Sequence, residues 1–303
     1  MTTASEVRSD MLRASDLRDF WRLCKPNVMQ LVIFTSAVTV YLAPDRSHPV
    51  LYFTALLSIA LGAAASAAIN NSFDADIDGR MIRTRLRPTA SGRIDPAEAL
   101  ATGVTLAIIG VMVMGLALNW LAAALLALTI AFYVFVYTMW LKRKTPQNIV
   151  IGGAAGALPP VVAWAAMTGR IEILPILMFV IIFLWTPPHF WALALYRTKD
   201  YDRVGVPMLP VVAGRRSTLD HILGYTIVLV LVSLLPTLLG LAGPAYGVAA
   251  LALGVVFLIY AVRLWREDRD LLAMRTFRFS IFYLFLLFGA FAVDRAMQDL
   301  VPG

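Results

Sequence analysis

Three acceptor side chains, Asn70, Asp74 and Asp78, recur at every fourth position. On an α-helix this spacing stacks them on one face in steps of about 6 Å. Carboxylates so close repel unless a cation lies between them or one keeps its proton. A divalent ion held by one or two carboxylates and completed by phosphate oxygens and water is the habit of Mg²⁺. Arg80, Arg83, Arg85, Arg87 and Arg93 follow closely. Arginine suits a phosphate group whose charge a metal does not fully neutralise. Asp76 falls about 160–200° around the helix from its neighbours, off the ladder. The alternative reading is a solvated loop with a capping Asp and membrane-anchoring arginines. Against it, an Asn and two acids stacked at the end of an apolar helix are costly to place near a bilayer and call for a purpose.

The rest of the chain must position this ladder. It has 303 residues, 60% hydrophobic and 15% charged, where a soluble domain carries about 25% charged residues. Apolar runs of about 20 residues recur throughout, which makes the chain an all-α polytopic membrane protein. Nine spans are expected, at 27–44, 51–73, 97–117, 120–140, 148–168, 173–195, 221–241, 245–264 and 278–296. They form one domain over residues 26–300. Residues 1–25 mix basic and acidic side chains and read as a cytoplasmic tail, partly an amphipathic helix lying on the membrane. The fifth span is weak, with Gly152, Gly153, Gly156 and the pair Pro159–Pro160. Such glycines admit close helix contact or an unwound turn facing a cavity. Pro187 and Pro188 predict a kink in the sixth.

Net charge is +7, but its distribution points to a membrane rather than to nucleic acid. Of the 26 Lys and Arg residues, all but Arg46, Arg170 and Arg295 fall in the tail or near the even-numbered loops. By the positive-inside rule the N-terminus and the ladder are cytoplasmic and the C-terminus is on the far side. In a bacterium this places the chain in the inner membrane, with a periplasmic C-terminus. Cys24 is the single cysteine, so an intramolecular disulfide is excluded and a cysteine metal site has no basis. Among the histidines, His48 falls in an outer loop and His221 opens the seventh span. His189 lies inside the sixth, amid Trp185, Phe190 and Trp191. It reads either as a hydrogen-bonded packing group or as a ligand or orienting group for a substrate. The sixth span ends in Y-R-T-K-D-Y-D-R-V-G-V-P-M-L-P, a weak echo of the ladder and its basic loop. Two facing acidic loops could grip one diphosphate through several Mg²⁺ ions.

The ladder followed by M-x-R-T-x-x-R-P resembles the first aspartate-rich motif of the UbiA-type intramembrane prenyltransferases. Asn70–Pro88, Y-T-M-W-L-K-R-K-T-P-Q-N-I-V-I-G-G from Tyr137, W-T-P-P-H-F-W-A-L-A-L from Trp185 and G-V-P-M-L-P-V-V from Gly205 are similar, more narrowly, to the protoheme IX farnesyltransferase (heme O synthase) family. The resemblance covers about residues 20–295. It implies farnesyl diphosphate and heme B as substrates, Mg²⁺ as cofactor, membrane lipid as surroundings, and heme A synthase or oxidase assembly factors as further partners. By motif match, Asn70, Asp74 and Asp78 would hold Mg²⁺, and Arg83 and Arg87 the diphosphate. Lys142 and Arg143 are further anion candidates, or else positive-inside anchors. Lys199 and Asp200 belong to the second acidic region, with Asp200 a further metal candidate. There the chain departs from the family's D-x-x-x-D, since Arg197 stands where the first acid belongs. Two rival functions remain at this stage: the same chemistry on an aromatic quinone precursor, and an ion or phosphate transporter. A transporter should carry charges near mid-membrane, and here they cluster at the cytoplasmic ends.

Overall fold

The computed structural model describes residues 17–44 and 48–300. Among them every regular element is helical. The long helices are α1 (Pro26–Leu42), α2 (Pro49–Phe73), α3 (Pro96–Ala117), α4 (Trp120–Lys144), α5 (Asn148–Thr168), α6 (Ile173–Tyr196), α7 (Gly214–Leu238), α8 (Pro244–Glu267) and α9 (Asp270–Leu300). Helices α2 to α9 are each long and apolar enough to cross a membrane. Helix α1 joins them as a ninth when taken with the short helix Leu17–Leu23, from which it bends by 57°. Of the expected tail, residues 1–16 lie outside the described residues. Residues 17–23 form a short helix that rests on the bundle. Leu23 is buried with Ala68, Ile94 and Ala99, Asp19 pairs with Arg93 at 2.8 Å, and Leu17 and Trp21 stay exposed.

Neighbouring helices pack in chain order, and α9 closes the ring against α1. Helix α5 is the innermost, touching α1, α2, α4 and α6. With no hydrophobic drive between helices in lipid, close packing of small residues must hold them. The run Gly62–Ala68 in α2 supplies such a surface, and Gly103 of α3 lies so near it that a Cβ would sit 2.9 Å from the Ala65 carbonyl oxygen. Large apolar side chains such as Phe53, Leu116, Phe135, Val248 and Phe282 point outward, as a lipid-facing surface requires. Trp120 and Trp140, exposed near opposite ends of α4, fit the two interfacial belts.

Several expectations shift in detail. Helix α7 begins seven residues before the expected span, and α9 starts at Asp270 rather than 278. The added turns carry ionic residues that hydropathy rejects, and Arg215 satisfies two of the acids, bonding Asp268 at 2.7 Å and Asp270 at 3.0 Å. Helix α6 runs on through Pro187 and Pro188. Residues Phe132–Leu141 of α4 wind as a π-helix, which nothing in the composition signals. Gly152 and Gly153 abut Tyr137 and Thr186 as close-contact glycines, whereas Gly156 faces open space.

Candidate active site

Helix α2 ends at Phe73, and a short helix, Ala75–Arg80, follows Asp74. The ladder survives this joint because the i, i+4 bonding runs through it. Asp74 N–H donates to the Asn70 carbonyl at 3.0 Å, and Asp78 N–H to the Asp74 carbonyl at 2.8 Å. All three ladder residues are buried, Asp74 completely. Helix α3 and the loop before it hold the joint in place: Ser72 Oγ donates to the Pro96 carbonyl at 2.6 Å and Thr89 Oγ1 to the Asn71 carbonyl at 3.0 Å.

Each rung is met by a cation from a different part of the chain. Lys25 Nζ donates to Asn70 Oδ1 at 2.6 Å. Lys142 Nζ donates to Asp74 Oδ2. Arg87 Nη1 donates to Asp78 Oδ2 at 2.6 Å. Asn70 Nδ2 in turn donates to Thr138 Oγ1 at 3.1 Å, which the π-helical stretch of α4 presents. Off the ladder, half-exposed Asp76 accepts from Arg143 Nη1 and Nη2, at 2.9 and 2.8 Å. That guanidinium holds the Asp76 carboxyl below its usual range. The repulsion expected between stacked acids is thus answered by side-chain cations.

The oxygen donors fit a Mg²⁺ site. One amide and two carboxylates are hard ligands, and Asp74 Oδ1 is buried without a hydrogen-bond partner. Among the described residues no three His, Cys, Asp or Glu side chains converge as a metal cage. A Mg²⁺ site completed by phosphate and water needs only one or two carboxylates.

The second acidic region docks on the first through apolar contacts. Ile77 and Met81 share a buried cluster with Tyr201, Val206 and Met208. Asp200 is buried, and Arg197 faces it at 3.8 Å. This region therefore holds an ion pair where the family motif has paired acids. Arg83 and Lys199 are exposed. His48 caps α2, accepting from Val50 N–H at 3.2 Å. His221 lies two turns into α7, its Nδ1 2.7 Å from the Ser217 carbonyl oxygen.

An apolar cavity of about 140 Å³ begins beside Lys25 and Cys24 and runs between α1, α2, α4 and α5 as far as Ile59, Leu126 and Val162. Ser66, Thr129 and Tyr133 add the few polar atoms on its walls. Its mouth and the ladder share Lys25.

His189 stands apart from that cavity. Its ring is stacked between Trp185, at 4.2 Å between centroids, and Phe277, at 4.6 Å. Its Nδ1 lies 2.6 Å from Ser280 Oγ. The Ser280 hydroxyl hydrogen goes to the Phe277 carbonyl at 2.7 Å. A hydroxyl has one hydrogen to give, so Ser280 accepts and His189 Nδ1 donates. This tautomer leaves Nε2 with a free lone pair.

Sequence reasoning missed Lys25, Thr138 and Ser280 as parts of these sites. Lys25 had one signal. It precedes Pro26, and proline bars its predecessor from helical backbone. Lys25 leaves the helical region for a left-handed conformation with φ 51°, and at this helix break its side chain reaches Asn70.

A family model described as the UbiA prenyltransferase family matches residues 31–300. The chain is 56% identical over 284 residues to protoheme IX farnesyltransferase of Parvibaculum lavamentivorans, covering 92% of this chain and 89% of that protein. It is 54% identical to protoheme IX farnesyltransferase of Acidiphilium cryptum, covering 91% and 90%. Among solved structures, digeranylgeranylglyceryl phosphate synthase superposes with a TM-score of 0.77 at 20% identity, over 92% of this chain and 98% of that one. A UbiA homologue from Archaeoglobus fulgidus bound to GPP and Mg²⁺ superposes with a TM-score of 0.63 at 18% identity, over 90% and 99%. At these identities the two structures establish the fold.

Proposed function

The chain belongs to the UbiA prenyltransferase family, and from that premise we infer that it is an intramembrane farnesyltransferase acting on heme B. Farnesyl diphosphate loses diphosphate to give an allylic cation. The heme 2-vinyl group attacks that cation, and water supplies the hydroxyl of the resulting hydroxyethylfarnesyl group with loss of a proton. The products are heme O and diphosphate. The observation that carries this reading is the cation-lined ladder joined through Lys25 to an apolar cavity. A ligand with an anionic head and an isoprenoid tail fits both parts at once. The heme acceptor rests on the relatives' names and on the Trp185–Leu195 and Gly205–Val212 segments, which favour heme over a quinone precursor.

Asn70, Asp74 and Asp78 are the residues we assign to Mg²⁺. The ion, when bound, supplies positive charge where the leaving diphosphate accumulates negative charge. Arg87 and Lys142, already at the ladder, bind diphosphate oxygens, with Arg83 and Arg143 at the rim. Lys199 and Asp200 approach from the second loop, and Asp200 is the candidate for a second metal contact. The apolar walls below Lys25 shield the allylic cation from early capture by water. His189 orients the porphyrin through its free Nε2.

We place the ladder on the cytoplasmic side of the bacterial inner membrane, where positive-inside charge puts it. Incubating the purified protein with farnesyl diphosphate, heme B and Mg²⁺ tests the whole reading. Heme O should form, and EDTA should stop it. Prenylation of an aromatic quinone precursor with heme untouched would replace this reading with its rival.

A further inference from the structure

We propose that Gly156 sets the length of isoprenoid chain that the cavity admits. The inference rests on the farnesyltransferase reading above and adds to it a residue that chooses between substrates. Four helical glycines lie on or behind the cavity wall: Gly62, Gly152, Gly153 and Gly156. A Cβ on Gly62 would meet Leu126 Cδ1 at 2.6 Å, and one on Gly153 would meet Thr186 Cγ2 at 2.9 Å. Gly152 is closed off by Tyr137. Gly156 differs from all three. Like Gly62 it lines the cavity, but a Cβ there would meet nothing within 4 Å. The other glycines serve helix contact, whereas this one preserves volume in the cavity.

Its level in the cavity fits that role. The wall on α2 runs from Ala67, just below Asn70, to Ile59. At 1.5 Å per residue, Asn70 and Ile59 are about 16 Å apart along the axis. Gly156 sits roughly 12 Å down α5 from Asn148 by the same measure, between mouth and floor. A head group fixed at the ladder would place its first isoprene unit by Lys25 and its later units past Gly156. A side chain at position 156 would occupy the path of those later units while leaving the head-group contacts unchanged. One misplaced methylene in an apolar pocket discriminates by about 10–200-fold.

The test is a chain-length series on the full-length protein. Gly156→Ala, Gly156→Val and Gly156→Leu would be assayed with heme B and with dimethylallyl, geranyl, farnesyl and geranylgeranyl diphosphates. Binding of the matching unreactive thiodiphosphates would be measured without heme. The farnesyl-to-geranyl ratio, in kcat/KM and in affinity, should fall progressively, by about 10-fold or more at Leu. Alanine is favourable in a helix, so Gly156→Ala gives a folded variant with a smaller shift of the same sign. A ratio that stays constant while all chain lengths weaken together would overturn the proposal and make Gly156 a packing residue. No heme prenylation by the wild-type protein would instead count against the proposed function, and the binding series would still decide the role of Gly156.

Discussion

Lys142 donates to Asp74 across 68 positions of sequence, so the most buried carboxylate of the ladder already holds a cation. The same is true of Asp78 with Arg87, and the amide oxygen of Asn70 accepts from Lys25. With Arg143 on Asp76, each of the three carboxylates holds a basic side chain, and Lys25 holds the ladder amide. A bare divalent ion finds Asp74 Oδ1 free, but it must displace Lys142 or Arg87 to take the carboxylate oxygens that they hold. An ion arriving with a diphosphate gives those displaced cations new anionic partners. Metal and diphosphate should therefore bind cooperatively, each raising the other's affinity by the same factor.

This coupling has a measurable sign. Mn²⁺, followed by electron paramagnetic resonance, should bind weakly to the substrate-free protein and more tightly once a farnesyl thiodiphosphate is present. Lys142→Met should raise the affinity for Mn²⁺ alone and lower that for the analogue. If both affinities fall in Lys142→Met, Lys142 supports the fold of the site rather than competing with the metal.

Asp74→Asn and Asp78→Asn should each lower farnesyl transfer on the order of 100-fold or more, the scale for losing a stabiliser of developing charge. The amide keeps an acceptor oxygen for Lys142 or Arg87, so both variants should fold and insert. Thermal unfolding and Mn²⁺ binding measured on the same preparations separate loss of metal from loss of structure. Near-normal turnover in either variant, with metal still required, contradicts the ladder assignment.

Arg87 and Arg83 should differ, although the motif presents them as a pair. Arg87 already bonds a ladder carboxylate, while Arg83 is exposed. Losing a charge-assisted contact costs about 1.5–3 kcal/mol, or roughly 10–150-fold in affinity. Arg87→Ala should show that loss for farnesyl diphosphate with heme affinity unchanged, and Arg83→Ala only a few-fold. A loss of heme affinity in Arg87→Ala would reassign that arginine to the heme propionates.

The ladder was legible in sequence because its geometry is local: i, i+4 bonding carries Asn70, Asp74 and Asp78 together even across the break at Asp74. Most spans were legible for the same reason, since length and hydropathy are properties of single segments. The partners of the ladder were not. Lys25 and Lys142 stand 45 and 68 positions away from the residues they bond, and their charges looked the same as any positive-inside anchor. The ends of α7 and α9 were missed because Arg215, Asp268 and Asp270 cancel one another only in three dimensions. His189 could be singled out, but its tautomer depends on Ser280, 91 positions on.

That tautomer yields the last prediction. His189 Nδ1–H is committed to Ser280, and both ring faces are covered by Trp185 and Phe277. The ring is thereby fixed with Nε2 as its free acceptor. Metal-binding histidines are commonly oriented this way, by a hydrogen bond from the opposite nitrogen. If Nε2 ligates heme iron, it holds the porphyrin so that one vinyl group meets the allylic carbon, where a misplacement of about 1 Å can cost around 100-fold. His189→Ala should shift the Soret band of bound heme and lower turnover, with farnesyl diphosphate affinity unchanged. Ser280→Ala should keep the ligand but release its orientation, lowering kcat with a smaller spectral change. A packing role predicts the opposite division: both variants lose thermal stability, and the Soret band of folded, heme-loaded protein stays where it was. That result would remove His189 from the heme site and leave it as a spacer between Trp185 and Phe277.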